Sequence, residues 1–147
     1  MAEGCGVMGA IKVTPADKWF SLCVRQRAEN RCERCGGSPA SGGLHCSHFH
    51  GRGKWGVRFC PDNATSLCYG CHAFLGSHPE IHRQWQLERL GAYRFDSLQE
   101  RANDSSRGRI AKREAKEIAK HYKGEYESLI QLRNAGAVGR LEFTGYL

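Results

Sequence analysis

Residues 44–72 read LHCSHFHGRGKWGVRFCPDNATSLCYGCH, and the rest of the chain is organised around this stretch. It holds His45, His48, His50 and His72, four of the seven histidines, together with Asn63 and a closing Cys68-Tyr-Gly-Cys71. A second Cys-x-x-Cys, Cys32-Glu-Arg-Cys35-Gly-Gly, lies upstream, with 32 residues between the pairs. Zinc takes four soft ligands in a tetrahedron, and each Cys-x-x-Cys supplies two from one tight turn that glycines permit. Cys32, Cys35, Cys68 and Cys71 therefore read as a structural Zn2+ clamp. Two pairs without a surrounding βαβ pattern argue against a redox dithiol. An ion filled by four thiolates has no open position for water or substrate, so this metal is not the catalyst. Cys5, Cys23, Cys46 and Cys60 read as ordinary thiols, with Cys46 set apart by its place among the histidines.

Outward from the stretch, the fold class reads as α+β. Thr14-Pro15-Ala16-Asp17 is a helix start, with Thr as N-cap, Pro in the first turn and Asp answering the cap. Trp19, Phe20, Cys23 and Val24 are expected on its buried side, and Lys18, Arg25 and Arg27 outward. Residues 44–50 read as the first strand of a hairpin, 51–54 as its polar turn and 55–59 as the return, with a turn at 61–63. A helix runs on from His72. Pro79 opens another that Gly91 stops, and 92–102 form a third. Residues 103–106 read as a linker. The longest periodic segment spans 107–133, with Ala115, Ile118, Tyr122, Leu129 and Leu132 as its apolar stripe. Residues 138–147 form a short strand or trail. The division is a tail at 1–13, a zinc-binding core at 14–78, a helical extension at 79–134 and a C-terminal tail at 135–147.

Bulk composition points to a polyanionic partner. The chain has 147 residues, a net charge of +7 and a pI near 9.1. The charge is uneven. Residues 1–60 carry nine Lys/Arg against four Asp/Glu and 107–133 carry eight against four, while 61–106 carry four against six. Two basic zones flanking a near-neutral middle suit a surface that grips nucleic acid. Excess cations that merely keep a protein in solution are the plainer alternative. Nothing is apolar enough to span a membrane, and the first residues lack the basic-then-apolar order of a signal peptide. Paired cysteines in an unexported chain place it in a reducing cytoplasm.

His48, Asn63 and His72 follow the order of the HNH (ββα-metal) nucleases, which this chain resembles. The string Asn63-Ala-Thr-Ser-Leu-Cys-Tyr-Gly-Cys-His72 matches that family's N-x3-L-C-x2-C-H form. The resemblance implies a ββα-metal core in which His48 at the end of the first strand is the general base. It implies that Asn63, in the loop after the second strand, fixes the base's loop, and that His72 at the helix start holds a catalytic divalent ion, Mg2+ or Mn2+. The family usually has Asp or His before the base; here Ser47, a weak ligand, stands there. His45-x-Ser47-His48-x-His50 resembles the phage endonuclease VII type. Phage recombination proteins of the NinG (Rap) type resemble the chain more fully, from Trp19 to Arg133. There an Asp three residues before the base falls on His45, so His45 and His72 are the implied ligands, with His50 competing for the place of His45. Strand alternation puts His45 and Ser47 on one face and His48 and His50 on the other, and decides neither way.

The chemistry asks for such parts. Phosphodiester cleavage needs a water deprotonated near neutral pH and a cation beside the phosphate. The resemblance implies a phage or prophage endonuclease acting on branched DNA, Holliday junctions or D-loops, in the bacterial host. Arg52, Lys54 and Arg58 in the hairpin, and Arg113, Lys116, Lys120 and Lys123 on the last helix, are the expected DNA contacts. A homodimer is expected if the substrate is a four-way junction, with the Ile118/Tyr122/Leu129 stripe either the interface or packed on its own domain. The alternatives are a zinc-finger-like DNA-binding accessory protein that does not cleave, and an HNH nickase acting on ordinary duplex.

Overall fold

The computed structural model describes residues 11–38 and 43–147. The expectations for 1–10, Cys5 included, and for 39–42 of the loop after the first cysteine pair lie outside the described residues. Among the described residues there are six α-helices and one two-stranded antiparallel sheet, and the fold is α+β. The order is α1 (Pro15–Arg27), β1 (Leu44–His48), a 3-10 turn (Pro61–Asn63), β2 (Ala64–Cys68), α2 (Tyr69–Ser77), α3 (Pro79–Leu90), α4 (Ala92–Ala102), α5 (Ser105–Arg113) and α6 (Ala115–Asn134).

Helix α1 starts as its sequence dictates. Thr14 accepts from the Asp17 N–H, the Asp17 carboxylate accepts from the Thr14 N–H at 2.8 Å, and Pro15 occupies the first turn. Its apolar face, with Ala16, Phe20, Cys23 and Val24, lies against Ile118, Tyr122 and Leu129 of α6. Phe20 meets Tyr122 edge-on at 5.1 Å. The first and last helices thus share the main core. The stripe that offered a dimer interface is used inside the chain; Leu132, expected in it, is 47 % exposed.

Strands β1 and β2 pair with Leu44 opposite Cys68 and His48 opposite Ala64. The return strand is therefore 64–68, not 55–59. The reason is a change of period: Val57, Arg58 and Cys60 each donate to the carbonyl three residues back, so 54–60 coil in tight turns and bury four consecutive side chains, Val57 to Cys60. Gly56 is required there, since a Cβ would come within 2.6 Å of the Arg101 carbonyl oxygen. Asn63 consequently precedes the second strand instead of following it.

Further corrections follow from packing. Arg27, expected outward, is 1 % exposed and donates to the Pro61 and Ala64 carbonyls. The 103–106 linker shrinks to a junction, because Asp104 caps α5. The long helix breaks at Glu114, between α5 and α6. The last residues form no strand. Instead Leu141 N–H donates to the Arg27 carbonyl, and Phe143 enters the main core.

Candidate metal centre and catalytic cleft

The four paired cysteines meet although 32 residues separate the pairs. Glu33 stitches them together: its backbone N–H donates to the Ser66 carbonyl, and its carboxylate accepts from the Ser66 N–H at 2.7 Å, pinning the first turn to β2. The second pair needs no long-range help, because Cys68 is the N-cap of α2 and accepts from the Cys71 N–H. All four Sγ atoms lie within 4.8 Å of one another, with Cys35 and Cys68 3.9 Å apart. Tetrahedral zinc with sulfur at about 2.3 Å needs thiols about this close. Burial raises the Cys32 thiol, but N–H groups of Cys35, Cys68 and Arg34 outweigh it and bring it down to about 6. The donor set fits a zinc ion: four thiols, converging N–H groups, and Arg34 donating to Cys71 Sγ at 3.6 Å. Cys46 stays apart, half-buried against the main core, with its thiol pushed up to about 11 by burial.

The histidines occupy a different place. His45 and His48 of β1 and His72 of α2 face one cleft of about 470 Å³, joined by Ser21 and Arg25 of α1 and by Arg52. The His45 and His72 rings are 5.0 Å apart at 53°. His72 is held below its ordinary pKa by burial and then by His45. A second cleft, of about 270 Å³, shares His48 and His72 with the first and is also lined by Ser47 and His82. Among the described residues, neither cleft is lined by a carboxylate.

His48 is the most constrained of these groups. Its Nε2 lies 3.0 Å from the Arg58 carbonyl oxygen, so Nε2 carries the hydrogen and Nδ1 keeps its lone pair. Burial first, then the Arg52 charge, depress its pKa to about 4, leaving a neutral imidazole at physiological pH. The accepting carbonyl is fixed from behind. Arg58 is fully buried; it binds Asp17 at 2.7 and 3.0 Å, donates to the Lys12 carbonyl, and lies 4.1 Å from the Trp55 ring. Asn63 closes the same loop. Its Oδ1 accepts from the His50 N–H, and its Nδ2 donates to the His50 and Val57 carbonyls.

Of the residues expected at the site, His45, His48 and His72 come together and Asn63 braces the loop beside them. The His50 ring turns away to Gln99 of α4. Arg58, expected to face phosphate, is corrected by its burial: its guanidinium is saturated inside the protein. Arg52 keeps a partly exposed side chain 3.8 Å from Asp17, and Lys54 is exposed. Arg113, Lys116, Lys120 and Lys123 lie towards solvent, Arg113 beside Glu114 and Lys123 beside the Trp19 ring. Sequence reading missed Ser21, Arg25 and His82 as cleft residues. Their only signal is tertiary, since α1 and α3 reach the cleft from outside the motif.

With that geometry in place, comparison with known proteins gives one match. The family model of the bacteriophage lambda NinG protein matches residues 13–131. No curated protein and no solved structure matches the chain.

Proposed function

Because the chain belongs to the family of the bacteriophage lambda NinG protein, we propose that it is a divalent-metal-dependent DNA endonuclease of phage recombination that cuts branched DNA. The observation carrying this reading is the His48 cleft: a neutral imidazole with its acceptor nitrogen fixed, beside two further imidazoles and two guanidiniums, without a carboxylate among the described residues. Such a cleft favours a polyanion and disfavours a cationic ligand.

In this reading His48 Nδ1 takes a proton from a water molecule, whose oxygen then attacks the scissile phosphorus. Arg52 and Arg25 face the non-bridging phosphate oxygens. His45 and His72 would hold the divalent ion, whose charge would offset that developing on the leaving oxygen. Two imidazoles without a carboxylate suit Mn2+ or another first-row ion better than Mg2+, which prefers oxygen ligands. The four thiols would hold a zinc ion that reinforces the Glu33 turn against β2 and, with no open position, takes no part in the chemistry. Two copies of the chain are needed for two symmetric cuts at a junction.

The test is cleavage of a labelled synthetic four-way junction and a matched linear duplex, with Mn2+ or Mg2+, by the native protein and by His48→Ala. Junction cutting that needs both metal and His48 supports the reading. Equal cutting of the duplex would make the protein a general nickase. Binding without cutting would make it a DNA-binding accessory protein, with Ser47 the first residue to replace by Asp.

A further inference from the structure

The seven histidines divide by whether their rings are engaged. Among the described residues, His48 meets the Arg58 carbonyl, His50 meets Gln99, and His78 and His121 meet the Phe74 and Thr144 carbonyls. His45, His72 and His82 make no ring hydrogen bond to the described residues, and each faces one of the two clefts that share His48 and His72. His45 and His72 already have a proposed task. His82 has none, although its position is as well defined. It lies in the first turn of α3, and the Phe49 ring, one residue beyond His48, meets it edge-on at 5.1 Å. Its ring is not within a ligand cluster that would share one ion with His45 and His72, because the four thiols are the only group of three or more metal-ligating side chains so gathered among the described residues.

We propose that His82 is a substrate-contacting residue: its ring N–H binds a phosphate of the nucleic-acid strand in the subsite beside His72. The second cleft is open, about 270 Å³, and among the described residues is lined by histidines, Ser47 and apolar groups without an acid. The groups acting on His82 all disfavour added positive charge, burial first, then His72 and Arg89, and an incoming phosphate supplies the missing counter-charge. A neighbouring phosphate held in this way adds to binding without entering the bond-making step, so it acts on affinity and KM and spares kcat. This inference rests on the nucleic-acid reading of the same cleft, but not on cleavage.

The deciding experiment measures Kd for a fluorescently labelled four-way junction without added divalent ion, comparing native protein, His82→Ala and His82→Gln. His82→Ala is expected to raise Kd about tenfold, the effect of one hydrogen bond to a charged group. His82→Gln, which retains an N–H donor, is expected to recover part of that loss, with melting temperature and zinc content unchanged in both. An unchanged Kd in His82→Ala overturns the proposal. So does an equal loss in both variants, which would assign the residue to packing against Phe49. Failure of the nuclease reading is separately visible: native protein that binds the junction but never cuts it leaves the His82 comparison intact.

Discussion

The thiol cluster and the imidazole cleft share one hairpin and helix, the thiols adding the Cys32–Cys35 turn that precedes them, yet they are finished differently. Around the thiols, backbone N–H groups point at the sulfurs and four ligands converge within 4.8 Å. Around the imidazoles, two guanidiniums stand by, three rings have no hydrogen-bond partner among the described residues, and the space is open. In the proposed reading the saturated site serves the fold, and the site left with unused donors and acceptors serves a substrate.

Breaking the saturated side should have the largest effect. Cys32→Ser removes a thiolate and with it most of the affinity for zinc, and structural zinc contributes on the order of 10 kcal/mol in small domains. Native mass spectrometry should show the ion gone, and thermal unfolding should fall and broaden; retained zinc would refute the clamp. The Asp17–Arg58 pair comes next. Arg58→Met strands a buried carboxylate and should cost about 3–5 kcal/mol in denaturant unfolding. It should also loosen the carbonyl that orients His48, lowering kcat even at temperatures where the variant stays folded. Asp17 itself sets an acid limit. Burial raises its pKa, but the bonds to Arg58 and Thr14 overcome this and leave it below the ordinary 3.8. Its stabilisation is therefore fully present above the unfolded value and is lost as pH falls through the lowered folded one, so Asp17→Asn should flatten stability against pH in that acid range.

On the open side, pH sharpens the comparison. His48 titrates near 4 in the folded protein against 6.5 for an unburied histidine, so its base form persists as pH falls from 6.5 towards 4. Across that window the unfolded chain binds the extra proton, so this group's stabilisation declines with acid. Replacing His48 by Ala should remove that slope. It should also cost roughly 100- to 10,000-fold in cleavage, the usual contribution of a general base, while DNA affinity is retained. The smallest effect is expected on the surface. Changing Lys116, Lys120 and Lys123 to Gln should weaken DNA binding modestly, with the salt slope falling by about 0.9 for each phosphate no longer neutralised.

The features legible in sequence were local ones. The capping box of α1, the stop at Gly91 and the paired thiols each follow from residues a few positions apart, where spacing alone sets geometry. Arg58 was misread because a basic residue in a glycine-rich hairpin looks solvated. Its partner Asp17 lies 41 positions away and reads, locally, as a helix cap and nothing more. The return strand was misplaced for a related reason: Trp55 to Phe59 has strand-like composition, but its burial is dictated by the close approach of Arg101 across Gly56. His82 reads from sequence as a surface or helix residue, because α3 gives no sign, along its own sequence, of which groove its first turn faces.

Arg58 and Phe59 present consecutive carbonyl oxygens, the first taken by His48 and the second by the Tyr122 hydroxyl of α6. The orientation of the histidine thus depends on a peptide segment that the far end of the chain holds in place. The consequence is one of timing. A chain still emerging from the ribosome, with the cysteines and histidines made but α6 unfinished, would carry all the parts of the cleft in an unset arrangement.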